Sequence, residues 1–290
     1  MENLLNRFID DLTSKNRTKN TVDAYSRDIK KYIDFVENEN LDDIDFITIM
    51  AYTQELKKEG KSTSTINRNV IAIKSFYRYL IKNNVIEKNP FDRYDMAKVK
   101  RDIPDILTVE EVDKLLSVPD TSTDKGLRDK TMLEVLYATG MKVSELLNTY
   151  TDDINFKYGY IKCRGSKDKE RIIPLGSYAI RSLEQYIKIR GNFNTSNSNF
   201  LFLNNKGQLM TRQGFWKIIK YYSKEANINK EINNNTLRHS FAVHLLQNGA
   251  DIKSVQEMLG HSGIAVTQIY AGIVKKTKLA EVYKNTHPRA

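Results

Sequence analysis

The stretch that decides the fold runs from Asn235 to Tyr270 and reads NTLRHSFAVHLLQNGADIKSVQEMLGHSGIAVTQIY. Its first part predicts a helix capped by Thr236, because a threonine hydroxyl at this position accepts a hydrogen bond from a backbone amide. This cap places Arg238 and His239 in the first helical turn. The start of the helix therefore presents a guanidinium and an imidazole side by side.

The second part of the stretch predicts another helix and then a tyrosine. Gly249 ends the first helix, since glycine readily adopts the left-handed conformation that follows a last turn. Asp251 caps the second helix, which the sequence Leu259-Gly260-His261 closes before Tyr270. One interpretation is an ordinary helical hairpin with a core tyrosine. With 16 tyrosines in the chain, a single one identifies no function.

Length and composition indicate an ordinary globular protein of two domains. The 290 residues are 40% hydrophobic and 28% charged, and a domain usually holds about 100–200 residues. The formal net charge of +10 favours a polyanionic partner such as DNA, RNA or an acidic membrane face. An inert basic surface explains the charge equally well.

Several features argue against membrane insertion and secretion. No apolar run approaches the roughly 20 residues of a spanning helix, and the N-terminal MENLLNRFIDDL carries acids where a signal peptide carries bases. The lone Cys163 cannot form an internal disulfide, which fits a reducing cytoplasm. It lies in an alternating segment and is expected to be a buried strand residue. The four histidines show no metal-site spacing, so no metal is expected.

The first ninety residues predict only helices, and residues 1–91 are interpreted as a helical domain. Asn89-Pro90 is expected to end the fourth helix, because proline disfavours helix in the residue before it. Four apolar stripes at helical spacing support this prediction. They are Leu4, Leu5, Phe8, Ile9 and Leu12; Val22, Tyr25, Ile29, Tyr32, Ile33 and Val36; Phe46, Ile49, Met50, Thr53 and Leu56; and Ile66, Val70, Ile73, Phe76, Tyr77 and Leu80.

Residues 92–106 lack a clear period and are predicted to be a basic linker to a second domain at 107–290. That domain opens with a capping box of Thr108 and Glu111. Further helices are predicted at about 109–117, 126–139, 143–148, 177–189, 211–226, 236–248 and 251–259. The alternating segments 159–164 and 170–175 predict a β-hairpin with a basic tip, and 200–203 is a candidate third strand. The fold class is therefore mainly α with a small antiparallel sheet.

A series of motifs along the chain makes it resemble the tyrosine recombinases of the phage integrase family, and their Xer branch most of all. The strongest are TLRHSFA around Arg238, LGHS with His261, and Tyr270. The others are NPFDR at 89–93, RDIPDILTVEEVDKLL at 101–116, YATGMKVSELL at 137–147 and the terminal HPRA at 287–290. The resemblance extends over essentially the whole chain and implies a DNA-clamping domain followed by a catalytic domain.

The resemblance implies site-specific recombination through a covalent intermediate. The hydroxyl of Tyr270 would attack the scissile phosphate, form a 3′-phosphotyrosyl link and release a 5′-hydroxyl, with neither ATP nor metal nor any other cofactor. Arg238 would hold the non-bridging oxygens with its planar fork, and His261 would donate a hydrogen bond to the same phosphate. His239 is expected to be structural, and His244 to be a core or surface residue.

Three positions depart from the family pattern. Lys142 stands where arginine is usual and keeps the charge without the fork, so weaker phosphate binding is expected. Asn235 stands where histidine or lysine is usual and cannot take a proton at neutral pH. Ser166 stands at the position of the general-acid lysine, and the neighbouring Lys167 is assigned that role, with Lys169 in reserve.

The implied partner is duplex DNA at an inverted-repeat site, bound by a homo- or hetero-tetramer in the cytoplasm, without a membrane. The stretch 276–284 resembles the short C-terminal helix that docks into a neighbouring protomer; packing on its own domain is the alternative. A recombinase-fold protein that binds DNA with weak or absent cleavage is a second hypothesis, and a generic basic helical binder of RNA or DNA is a third. Chromosome resolution, phage integration and transposon movement remain open.

Overall fold

The computed structural model describes residues 1–37, 39–41, 43–91, 94–97, 104–165, 170–193, 197–261, 263 and 267–274. The chain divides into two compact units, Met1–Arg101 and Asp102–Ala290. Helices dominate both units, and the second also holds a small antiparallel sheet of three strands. The predicted fold class is confirmed. None of the helices in the described ranges has both the length and the apolarity that a membrane span requires.

In the described part of the first unit there are four helices, each built around one of the predicted apolar stripes. They are α1 Glu2–Ser14, α2 Lys19–Phe35, α3 Phe46–Lys58 and α4 Thr63–Lys82. Side-chain oxygens of Thr18, Asp45 and Ser62 accept from backbone amides at the starts of α2, α3 and α4. Because these caps satisfy amides that would otherwise lack partners, they fix where the helices begin.

Tyrosines carry polar contacts into the apolar core of the first unit. The hydroxyls of Tyr32 and Tyr77 lie 3.0 Å apart, and the hydroxyl of Tyr52 donates to the side chain of Asn69 at 3.1 Å. Phe91 is fully buried beside these rings. A buried hydroxyl without a partner would cost stability, so these pairs allow large aromatic rings to fill the core.

The expected end of α4 at Asn89-Pro90 is wrong. The helix ends at Lys82, and Asn84 follows in the left-handed conformation with φ of 54°. The amides of Asn84 and Val85 donate to the carbonyls of Ile81 and Leu80 at 2.9 Å each. This closure is a Schellman motif, in which asparagine can replace the more common glycine. The chain then turns back and buries Phe91.

The part of the predicted linker that the structure describes before residue 98 packs on α4. The carbonyl of Ala97 accepts from Asn67 at 2.7 Å, and that of Tyr94 accepts from Lys74 at 3.0 Å. Residues 94–97 have neither helix nor strand, as the absence of a period predicts. These contacts attach the start of the segment to the first unit.

Within the described residues, the second unit contains seven helices and one further helical segment. They are α5 Val109–Ser117, α6 Asp124–Thr139, α7 Val143–Leu147, α8 Ser177–Ile189, α9 Arg212–Glu225, α10 Thr236–Gln247 and α11 Ile252–Leu259. Residues 267–274 are also helical and are called α12. Each predicted helix agrees to within two residues. The capping box is confirmed, because the Thr108 hydroxyl accepts from the Glu111 amide at 3.2 Å and the Glu111 carboxylate from the Thr108 amide at 2.7 Å.

The sheet consists of β1 Ile154–Asn155, β2 Tyr160–Arg164 and β3 Glu170–Pro174, paired antiparallel in that order. The predicted hairpin is confirmed in β2 and β3. Its tip, with Ser166, Lys167 and Lys169, lies outside the described residues. Cys163 is buried in β2 as predicted and pairs with Arg171 of β3.

The third strand predicted at 200–203 is wrong. Phe200 and Leu203 form only isolated bridges, to Tyr150 and Leu209. The third strand of the sheet is β1, which is two residues long and follows a short turn. The run at 201–203 is apolar because its side chains fill the core of the unit, and burial alone does not distinguish a strand from a buried loop.

Candidate active site

The first turn of α10 presents the two residues that the sequence places there. Its N-cap is Asn235 and not Thr236, which is the first helical residue and whose hydroxyl accepts from the Asn233 amide at 2.9 Å. The predicted cap is therefore wrong by one position. Arg238 and His239 still lie in the first turn, so the prediction for these two residues is confirmed.

Arg238 is held inside the protein by two backbone carbonyls. Its Nη1 donates to Gly140 at 2.6 Å and its Nη2 to Leu259 at 2.7 Å, and only 4% of the residue is exposed. Burial lowers the pKa of Arg238, while the carboxylate of Glu145 acts in the opposite direction. The guanidinium is thus fixed where α6 and α11 end, with its orientation set by the fold.

Gly140 permits this arrangement. It ends α6 in the left-handed conformation with φ of 57°, as the sequence predicts. A Cβ atom at this position would lie 2.2 Å from the Phe241 ring of α10. Only glycine therefore lets α6 end so close to α10 that its carbonyl reaches Arg238.

His261 is positioned by the end of α11. The amides of Gly260 and His261 donate to the carbonyls of Glu257 and Gln256 at 3.0 and 3.2 Å, which closes the helix in a Schellman motif. The Nδ1 atom of His261 lies 2.9 Å from the hydroxyl of Thr267. The backbone and the side chain of His261 are therefore both fixed.

The imidazole of His261 is neutral at physiological pH. Burial and the positive charges of Arg238, Lys142 and Arg171 lower its pKa to about 4. When Nδ1 accepts from the Thr267 hydroxyl, Nε2 carries the ring hydrogen and can donate to a phosphate oxygen. This is the role that the family resemblance implies for His261.

Tyr270 lies in α12 and meets both histidines. Its hydroxyl is 2.8 Å from Nδ1 of His239, and its ring stacks on that of His261 with centroids 6.4 Å apart. The residue is 4% exposed and packs in a small core with Phe241 and Leu259. Burial raises the pKa of the phenol, and the charge of Arg238 opposes this effect.

The structure agrees with the expectation for His244 and adds an unexpected contact for His239. His244 is a core residue, as one of the two expectations has it, with Nδ1 2.9 Å from the Tyr137 hydroxyl and Nε2 3.0 Å from the Leu107 carbonyl. The contact between His239 and Tyr270 is absent from the sequence-based expectations. A signal for it exists in the sequence, because His239 directly follows the arginine at the start of a helix.

Lys142 lies at the start of α7, and its positive charge acts on the site. It is the N-cap of α7, its side chain is exposed, and its backbone amide donates to the Glu145 carboxylate at 2.8 Å. The positive charge of Lys142 contributes to the lowered pKa of His261. A lysine at this position can contribute charge to a bound phosphate without a bidentate fork.

One of the predicted site residues is not brought into contact with the others. Asn235 is exposed at the start of α10, and within the described residues no hydrogen bond joins its side chain to Arg238, His261 or Tyr270. Its carbonyl accepts from the His239 amide at 2.8 Å as part of the helix. Lys167 lies outside the described residues, as does the stretch 276–284.

Arg171 and Glu145 belong to the site although the sequence does not single them out. Arg171 donates through both terminal nitrogens to the Glu145 carboxylate, at 3.2 and 2.8 Å, and through Nε to the Met258 carbonyl at 2.7 Å. This clamp connects the hairpin, α7 and the end of α11. The predicted hairpin contains a signal for Arg171, because this charged residue of β3 is on the same side of the sheet as the buried Cys163 and therefore needs a partner.

Comparisons with known proteins show the family to which the chain belongs. The model of the phage integrase family matches residues 105–276, and the phage integrase N-terminal SAM-like domain matches residues 5–84. The chain therefore belongs to the phage integrase family and is a tyrosine-type site-specific recombinase.

Individual relatives align with most or all of the chain. A tyrosine recombinase XerD of Listeria innocua serovar 6a is 43% identical over 303 residues, covering 99% of this chain and 100% of the relative. One of Staphylococcus haemolyticus is 43% identical over 296 residues, with 100% of both chains covered. A crystal structure of XerH site-specific recombinase in a post-cleavage complex with palindromic difH has a TM-score of 0.78 at 24% identity, covering 90% of this chain and 79% of that one. The last comparison supports the fold alone.

Proposed function

We propose that this recombinase cleaves and rejoins duplex DNA by attack of the Tyr270 hydroxyl on the scissile phosphate, with a 3′-phosphotyrosyl intermediate. The observation that carries the proposal is the convergence of Arg238, His261 and Tyr270 from α10, the end of α11 and α12. All three come from the same chain. The nucleophile and the groups that would bind the phosphate are therefore supplied together.

The proposed roles follow from the chemistry of each group. Negative charge grows on the non-bridging oxygens during attack, and preorganised donors aimed at them lower the barrier, by roughly 10²–10³-fold in rate per donor. Arg238 would bind the non-bridging oxygens with its planar guanidinium, and neutral His261 would donate a hydrogen bond to the phosphate from Nε2. Lys142 would contribute a positive charge. Lys167 is proposed as the general acid that protonates the leaving 5′-oxygen. Asn235 is proposed to take no part in proton transfer.

The N-terminal domain, residues 1–91, is proposed as the DNA clamp, with residues 92–106 as linker and 107–290 as catalytic domain. Several basic side chains on its surface are exposed. Two others form ion pairs, Arg68 with Asp28 and Lys31 with Glu59. The exposed bases are Arg17, Lys19, Arg27, Lys30 and Arg78. Exposed cations without a strong internal partner are suited to phosphate contacts.

The proposal that DNA is the partner draws on a solved relative. The XerH chain with the same fold was solved on a palindromic DNA substrate. We propose that this chain likewise binds an inverted-repeat site as a homo- or hetero-tetramer in the cytoplasm. The stretch 276–284 is proposed to dock into a neighbouring protomer. The alternative of a DNA binder without cleavage is not favoured, because the tyrosine, the arginine and both histidines lie together.

The test is selection of covalently bound DNA. The chain is incubated with nicked duplexes that carry a randomised core, the protein is denatured, and DNA that remains attached is sequenced. We expect a denaturation-resistant complex and enrichment of an inverted repeat. Tyr270→Phe should abolish the complex and retain binding to the selected site. A covalent complex that persists in Tyr270→Phe would refute the assignment of the nucleophile.

A matched control separates this tyrosine from the others. Tyr178 lies in the same unit and is 72% exposed, so Tyr178→Phe removes an accessible hydroxyl without disturbing the core. We expect this variant to form the covalent complex as the unmodified chain does. If no complex forms on any selected duplex, the weakly cleaving alternative is correct.

A further inference from the structure

The contact between His239 and Tyr270 is the feature of the site to which the family resemblance gives no role. The Nδ1 atom of His239 lies 2.8 Å from the phenolic oxygen, and the ring centroids are 5.6 Å apart. Within the part of the chain that the structure describes, the hydroxyl has no second hydrogen-bond partner. The geometry is that of a proton donor and acceptor in direct contact.

The chemistry of attack requires such an acceptor. Burial raises the pKa of the Tyr270 phenol, so the hydroxyl is protonated at neutral pH and is a weak nucleophile. It must lose its proton as the bond to phosphorus forms. Asn235 stands where a basic side chain is expected, but its amide takes up no proton, and within the described residues no hydrogen bond joins its side chain to Tyr270.

His239 has the properties that an acceptor needs. Burial, followed by the charge of Arg238, lowers the pKa of His239, so its ring is neutral at physiological pH. In the tautomer with hydrogen on Nε2, the lone pair of Nδ1 faces the phenolic hydroxyl. The titratable and charged groups that face this ring are Tyr270 of α12, His261 at the end of α11 and Arg238 of its own helix.

We propose that His239 is the proton acceptor for the nucleophile, an inference that rests on the proposed function of Tyr270. As the oxygen of Tyr270 bonds to phosphorus, its O–H bond breaks and the proton moves to Nδ1 of His239. The bond from phosphorus to the 5′-oxygen breaks, and that oxygen takes a proton from an acid or from water. In rejoining, the 5′-hydroxyl attacks phosphorus and gives its proton to the conjugate base of that acid or to water. The bond from phosphorus to the phenolic oxygen breaks, and imidazolium returns the proton to that oxygen.

The test measures single-turnover formation of the covalent complex by His239→Asn and His239→Ala. Asparagine places an amide near the position of Nδ1, so it retains a hydrogen bond without accepting a proton. We expect both variants to bind the selected DNA normally and to cleave it about 10²–10⁴-fold more slowly. A rate for His239→Asn within about threefold of the unmodified chain would overturn the inference, since a hydrogen bond would then suffice.

The dependence of the rate on pH distinguishes proton transfer from a merely structural role. The unmodified chain should show a rate that is constant above the lowered pKa of His239. The variants should gain about tenfold per pH unit toward the pKa of the phenol, because only ionised Tyr270 then attacks. If the unmodified chain itself shows this rise, His239 accepts no proton. This measurement needs no variant and decides the question even if the variants fail to fold.

A control variant and a modified substrate distinguish failure of the inference about His239 from failure of the proposed function. His244→Asn removes another buried histidine of α10, and we expect its cleavage rate per bound complex to be unchanged. A substrate with sulfur in place of the 5′-bridging oxygen needs no general acid, so the His239 variants should remain slow on it. If the unmodified chain cleaves, Tyr270→Phe does not, and His239→Asn is fast, only the inference about His239 fails. If Tyr270→Phe cleaves, the proposed function itself fails.

Discussion

Arg171 and Glu145 form a two-point ion pair whose side chains are 15% and 8% exposed. The pair joins β3 of the hairpin to α7, whose N-cap is Lys142, and Arg171 also donates to the carbonyl of Met258 in the last turn of α11, the helix that precedes His261. Strands and helices that carry different parts of the site are thus connected by one guanidinium.

Removing this guanidinium should cost both stability and activity. Arg171→Met leaves the Glu145 carboxylate buried without its partner, which typically costs about 3 kcal/mol or more of unfolding free energy. Cleavage should slow as well, because the end of α11 loses its support. Urea unfolding and single-turnover cleavage measure the two effects.

The matched control lies in the same hairpin. Lys162 and Glu170 also form an ion pair, but their side chains are 42% and 44% exposed. Lys162→Met should therefore cost under about 1 kcal/mol. Equal losses for Arg171→Met and Lys162→Met would contradict the importance of the buried pair.

Lys142 provides a gain-of-function test. Lys142→Arg should accelerate cleavage by up to about 10²-fold, because the planar fork adds a donor to the transition state. Lys142→Met should slow cleavage below the level of the unmodified chain. Both variants should fold normally, since the side chain is exposed. A Lys142→Arg variant that is no faster would show that the charge alone is used.

The stability of the second unit should depend on pH through His261. Its pKa falls from its ordinary value near 6.5 to about 4 on folding. Between these pH values the unfolded chain binds a proton that the folded chain does not, so the free energy of unfolding falls as the pH drops. His261→Gln should reduce this slope.

The measurement is urea unfolding at several pH values between 7 and 4.5, followed by the fluorescence of Trp216. This residue is the only tryptophan of the sequence and lies in α9 of the second unit. Identical slopes for the unmodified chain and His261→Gln would mean that the folded imidazole is not kept neutral.

Gly260 should not tolerate a side chain. It has φ of 66°, and a Cβ atom would lie 2.9 Å from Nη1 of Arg171. Gly260→Ala should lose about 1–2 kcal/mol for the left-handed conformation alone, and cleavage should slow because His261 shifts.

The control is a glycine with open space around it. Gly272 lies in α12, and a Cβ atom there would meet nothing within 4 Å. Gly272→Ala should stabilise the protein by up to about 1 kcal/mol, because alanine is the better helix former. Thermal unfolding of both variants would show opposite signs, and a destabilised Gly272→Ala would contradict the expectation.

The sequence predicts the helices well because their apolar stripes, caps and stops are local signals. The exceptions are instructive. The end of α4 depends on Asn84 in a left-handed conformation, for which asparagine is a weaker signal than glycine. The buried run at 201–203 has the composition of a strand but serves as core.

The site is predicted only in part. Arg238, His261 and Tyr270 are proposed from the sequence because their motifs resemble those of the tyrosine recombinases, and the structure brings these three residues together. The role of Arg171 as a clamp depends on contacts with α7 and α11 that are distant in sequence. The contact of His239 with Tyr270 likewise forms only when α12 packs on α10. Such pairings are set by tertiary structure, which no single local pattern contains.

The two carbonyl contacts of Arg238 have a consequence for the dynamics of the free protein. Because one side chain ties the last turn of α6 to the last turn of α11, neither end can open without breaking a bond to the other. Amide hydrogens at both ends should therefore exchange with solvent as one cooperative unit. The orientational freedom of the guanidinium is already lost when the chain folds, so little of it remains to be lost when DNA arrives.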